Sequence, residues 1–71
     1  MTKAQFKTLN TEELIKYFQS TGLILSDKVV QILRDQEIDG AGLLIATAEN
    51  LNSVGIPLGS ALKIIASIPN N

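Results

Sequence analysis

The chain is expected to fold as an all-α protein, a compact bundle of five short helices, and three observations lead there. Apolar residues recur at helical spacing, as Leu14, Tyr17 and Phe18 near the start and Leu58, Leu62, Ile65 and Ile68 near the end. That period belongs to helices that bury one face. Capping residues, glycines and prolines cut this pattern into short pieces, with connections of about two to five residues, which suits a globule rather than a coiled coil. Strand signals are absent: Leu23-Ile24-Leu25 is apolar but too short, and it has no partner.

Residues 1–8 carry no clear period and are expected to form a flexible lead-in that ends in contacts from Phe6 or Leu9. The first helix is placed at about 10–21. Asn10-Thr11-Glu12-Glu13 has the capping-box pattern with acids in the first turn, and Gly22 is suited to end the helix in a left-handed conformation. Ser26 caps a second helix over 26–35, with Val29, Ile32 and Leu33 inward. Asp39 caps a very short third helix over 40–45, whose two glycines leave it dependent on packing. Thr47 caps a fourth over 47–53, with Leu51 and Val54 inward, and Gly55 breaks it. Pro57 opens a last helix over 57–68, where its missing N–H costs nothing. Its inward stripe is expected to be Leu58, Leu62, Ile65 and Ile68, with Ala61 and Ile64 beside them, and Pro69 begins a tail over 69–71.

Composition narrows the chemistry. Hydrophobic residues make up 45% of 71, mostly aliphatic, so a single domain with a dense branched core is expected. Cysteine is absent, which removes disulfides and thiolate chemistry, and histidine is absent, which removes the commonest general base and metal ligand. No apolar run is long enough for a membrane span, and Met1–Lys7 lacks the apolar stretch of a signal peptide. A cytoplasmic setting, with a nuclear one possible, is the expectation. The net charge of −1 gives no bulk attraction to nucleic acid. It is unevenly spread, however. Residues 1–34 hold five bases and three acids, while residues 35–71 hold Asp35, Glu37, Asp39 and Glu49 against Lys63 alone.

From Leu9 to Ile68 the residues resemble a sterile alpha motif (SAM) domain. The resemblance is carried by Glu37-Ile38-Asp39-Gly40, then Leu43-Leu44, Thr47, Glu49, Leu51, Val54-Gly55-Ile56, Gly59, Lys63-Ile64 and Ile68, in that order and spacing. On this reading residues 9–68 form the domain. Leu9 and Tyr17 stand where such domains often have tryptophan, and Ser60 and Ala61 stand where a basic residue often follows the glycine.

What the resemblance implies is protein–protein association through two faces. A mid-domain face would comprise Asp35, Glu37, Asp39, Leu44, Ile45 and Glu49. An end-helix face would comprise Pro57, Leu58, Gly59, Ser60 and Lys63. The expected partner is another SAM-like domain or a basic protein surface. Docking one face on the other is head-to-tail. With only one cation on the end-helix face, weak self-association rather than a long polymer is expected: a monomer or a weak head-to-tail oligomer. The alternative is an RNA-hairpin-binding module, but one lysine beside four acids is the wrong field for phosphates. Catalysis is not expected, because the hydroxyls have no histidine to activate them and the globule leaves no room for a deep pocket. No cofactor, metal or membrane contact is expected, since the carboxylates lack calcium-loop spacing and the last helix has a single cation.

Overall fold

Side-chain caps decide where the helices begin. In the computed structural model, which describes residues 1–71, there are six helices and no strand: α1 (Lys3–Phe6), α2 (Thr11–Ser20), α3 (Asp27–Asp35), α4 (Gly40–Ile45), α5 (Ala48–Ser53) and α6 (Leu58–Ala66). Asn10 Oδ1 accepts from the Glu13 N–H at 2.8 Å while Glu13 Oε1 accepts from the Asn10 N–H at 3.0 Å, the reciprocal box expected there. Thr47 and Asn50 form a second reciprocal box at α5, while Ser26 and Asp39 cap α3 and α4 by accepting from the Val29 and Gly42 N–H groups alone. Each satisfies an amide that the first turn would otherwise leave orphaned.

Left-handed residues decide where three helices end. After α2 the Leu23 N–H donates to Phe18 O at 3.2 Å, around Gly22 at φ +87°. After α5 the Ile56 N–H donates to Leu51 O at 3.2 Å, around Gly55 at φ +104°. The same closure follows α3, where Ile38 N–H donates to Leu33 O at 2.9 Å, but the turning residue is Glu37 at φ +53°. These are Schellman closures, and glycine suits them because it has no Cβ to clash.

The core is apolar throughout. Phe6, Leu14, Ile15, Phe18, Val29, Leu33, Leu43, Leu51, Ile56, Ala61 and Ile64 are buried, with no buried polar or charged residue among them. All six helices supply at least one of these side chains, and Ile56 plugs the turn between α5 and α6. Phe6, Tyr17 and Phe18 form an aromatic cluster, with Phe6 edge-on to Tyr17 at 5.6 Å and to Phe18 at 6.1 Å between ring centres.

Three expectations are corrected, the first being Val54, expected inward but 36% exposed at the end of α5. The lead-in contributes a sixth helix, α1, and its Phe6 is fully buried. Thr2 and Gln5 cap each other across this single turn, so four residues hold a helical shape that they would not keep alone. In the last helix the inward stripe is also turned. Ala61 and Ile64 are buried, Ile65 and Ile68 pack at the edge, and Leu58 and Leu62 are each 54% exposed. Apolar residues at 58, 61, 62, 64, 65 and 68 wrap most of this helix, so period alone does not choose its inner side. Packing against α5 chooses it, with small Ala61 permitting close approach.

Candidate partner interface

The mid-domain face is built where α3 ends and α4 and α5 meet. An open groove of about 210 Å³ lies there, lined by Gln36, Ile38, Gly42, Ala46, Asn50, Leu51 and Val54. That is below the roughly 300 Å³ at which small-molecule sites begin, and it suits a side chain of a partner better. Ile45, at the end of α4, is 86% exposed.

The carboxylates adjoin this groove in sequence. Asp35 and Glu37 flank its lining residue Gln36, and Glu49 precedes its lining residue Asn50; all three acids are exposed. Asp35 Oδ1 accepts from Gln31 Nε2 at 2.8 Å, whereas the Glu37 and Glu49 carboxylates have no partner within the chain. Asp39 differs. It is half-buried and its Oδ1 accepts from the Gly42 N–H at 2.8 Å, so it is committed to capping α4. Leu44 is likewise half-buried against the core, and only Ile45 of the two projects freely.

The cation next to Asp35 in sequence is already engaged. Arg34 donates to Glu12 through both Nε at 2.8 Å and an Nη at 2.9 Å, tying the end of α3 to the start of α2. This hydrogen-bonded contact holds the Glu12 carboxyl below the ordinary glutamate range and raises Arg34. It is the chain's one ion pair, so Arg34 does not neutralise Asp35 and Glu37.

The end-helix face runs from Pro57 and the first turn of α6 to Lys63 in its last turn. Pro57 stands at the N-cap with no side chain to offer, so α6 is the only helix here whose start lacks a side-chain cap. Leu58 and Gly59 are exposed, Ser60 is half-buried and Lys63 is exposed. A Cβ added at Gly59 would meet nothing within 4 Å, so no element of the fold requires glycine there. Leu62, one turn beyond Leu58, extends the exposed apolar surface.

Of the residues expected on the two faces, Asp35, Glu37, Ile45 and Glu49 are exposed and each is next in sequence to a groove-lining residue, with Asp35 bonded to Gln31, and Pro57, Leu58, Gly59 and Lys63 are exposed at the end helix. The groove walls Gln36, Ala46 and Asn50, and the outward position of Leu62, were not marked by the sequence. They become visible only once α3, α4 and α5 are set against one another.

No helix is long and apolar enough to cross a membrane. Comparison with curated proteins and with solved structures returns no match in either case. A family model described as a SAM-like domain does match, over residues 1–70. With the six packed helices and the motif run from Glu37 to Ile68 now in place, that match over nearly the whole length shows that the chain belongs to the SAM-like domain family.

Proposed function

We propose that this domain is a protein-interaction module that docks head-to-tail on another SAM-like domain. SAM-like domains are in general non-catalytic interaction modules. The finer reading is that the first turn of α6 seats on the mid-domain groove of a partner. The observation that carries it is the start of α6: exposed Leu58 and Leu62, a glycine the fold does not need, and no side-chain cap. Such a turn offers bare amides and a partial positive charge to an acceptor, while leucines fill an apolar recess. The mid-domain face supplies the complement, with the unpartnered carboxylates of Glu37 and Glu49 beside an apolar groove.

Magnitudes set the strength of a contact between two copies. A Lys63 ion pair contributes about 0–1 kcal/mol and the helix N-terminus about 0.3–1 kcal/mol. Burying the exposed half of two leucines contributes about 1 kcal/mol each, against an association cost of about 4–15 kcal/mol. Self-association is therefore weak, and a domain with more cations around its own α6 start is the better partner.

Sedimentation velocity at high micromolar concentration and low salt tests this. The chain is expected to show a concentration-dependent shift toward dimer. Ile45→Glu and Leu62→Glu variants are each expected to sediment as monomers, and an equal mixture is expected to form one dimer from the two intact faces. A mixture that stays monomeric while the parent chain dimerises would refute head-to-tail docking, and long polymers would refute the weak-contact reading.

A further inference from the structure

We infer that the N-terminal segment from Thr2 to Leu9 is a strut that holds α4, and with it the mid-domain groove, so that segment and groove open together as one unit. α4 is poorly equipped to stand by itself. It has six residues, two of them glycine, and a single fully buried side chain, Leu43. Helices this short are not stable without tertiary support.

That support comes from the N-terminal segment. The Gly40 N–H donates to Leu9 O at 3.0 Å. Gly40 is so close to the segment's backbone that an added Cβ would fall 1.9 Å from Phe6 O and 3.3 Å from Leu9 O. The contact is backbone on backbone, and a side chain cannot swing aside to relieve it. On its other side the segment is anchored in the core, where Phe6 packs edge-on to Tyr17 and Phe18 of α2. The Lys3 N–H also donates to Asn71 O, which ties the segment to the far end of the chain.

The remaining helices pair differently. The most extensive packing is of α5 with α6, while α2 packs with α3 and α1 with α4 to a smaller and similar extent. Releasing the strut therefore strips α4 of its wall and takes Phe6 away from Tyr17 and Phe18 of α2, while the main α5–α6 packing is made by other residues. Gly42 and Ala46, at and just beyond α4, line the groove, and Ile45 projects next to Ala46. A displaced N-terminal segment disables the mid-domain face and leaves the start of α6 intact. The consequence for binding rests on the docking proposed above, but the mechanical coupling does not.

The test is amide hydrogen exchange by NMR on the full chain, comparing the parent with Phe6→Ala. The Gly40 and Leu43 amides report on α4, and the Ala61 and Val30 amides report on α6 and α3. The strut predicts that Gly40 and Leu43 lose protection by about tenfold more than Ala61 and Val30, as a separate opening unit would. An equal loss at all four amides, or unchanged protection in α4, overturns it. If Phe6→Ala leaves no folded protein, Phe6→Leu keeps most of the side-chain volume and is read by the same comparison. The measurement involves no partner, so it stands or falls apart from the docking reading.

Discussion

Replacing each of three glycines by alanine gives three different outcomes, and the structure sets the order. Gly40→Ala places a methyl carbon 1.9 Å from Phe6 O, about 1.5 Å short of the 3.4 Å at which ordinary contact begins. The atom in the way is backbone, so α1 or α4 must move. Movement on that scale breaks the Gly40 N–H to Leu9 O bond and leaves a buried amide unsatisfied, at about 1–3 kcal/mol. Forcing the methyl into packed surroundings adds about 1–3 kcal/mol. Alanine returns at most about 1 kcal/mol of helix propensity. The net is a loss of about 1–6 kcal/mol, which at about 4–8 °C per kcal/mol for a domain of this size lowers Tm by several degrees at least. Gly42→Ala meets only the Asp39 carboxylate at 3.2 Å, a side-chain atom that can yield, and is expected within about 1 kcal/mol of neutral. Gly59→Ala meets open space and is expected to stabilise by about 0.5–1 kcal/mol. Urea denaturation followed by circular dichroism measures all three. A Gly40→Ala protein as stable as Gly59→Ala would show that the close approach of α1 to α4 does not exist in solution.

Other substitutions separate fold from function. Glu37→Gly relieves a left-handed glutamate and removes a negative charge from the C-terminal end of α3, so it is expected to stabilise by about 1 kcal/mol in thermal melts while weakening binding at the mid-domain face. Asp39→Asn keeps an equally good cap, so stability is expected to hold; a pull-down at two salt concentrations then reads whether the lost charge matters, and an unchanged partner signal confines Asp39 to the fold. Glu12 has a folded pKa held below its unfolded value by Arg34, so its contribution is present above the unfolded glutamate pKa and is lost as pH falls through the folded one. Glu12→Gln is therefore expected to flatten that acidic limb of the stability–pH curve, and high salt is expected to shrink the difference between the two proteins.

Much of this arrangement is legible in the sequence because its punctuation is local. Asn10, Ser26, Asp39 and Thr47 cap the helices they were expected to cap, and Gly22 and Gly55 turn the chain where expected. These features depend on residues within a few positions of each other, and a sequence displays them directly. Two features depend on distant packing and are not displayed. α1 has no period to announce it, although Thr2-x-x-Gln5 before Phe6 is a capping-box pattern that marks the turn. The inner side of α6 is decided by where α5 lies, and a helix apolar on most sides gives no warning of it. Glu37 also escapes notice, since only the coordinates reveal that a glutamate turns the chain where its two counterpart positions have glycine.

The placement of charge bears on what holds a docked pair together. Lys3, Lys7, Lys16 and Lys28 all lie before the groove-forming residues in sequence, and none joins an ion pair; Arg34 is held by Glu12. Lys63 is thus the single cation on the face proposed to meet the acidic groove. One exposed pair cannot supply most of the free energy of a contact. On the proposed docking, burial of Leu58 and Leu62 in the groove carries the larger share, and Glu37 and Glu49 orient the incoming helix start. Charge sets direction, and the leucines set strength. Raising salt is then expected to weaken docking only modestly, since hydrophobic burial is not screened, whereas Leu62→Ala is expected to weaken self-association by about fivefold, the equivalent of about 1 kcal/mol. A contact that vanished in salt but survived Leu62→Ala would place its energy in the charges instead. The basic N-terminal half would then have to be the surface that meets the groove.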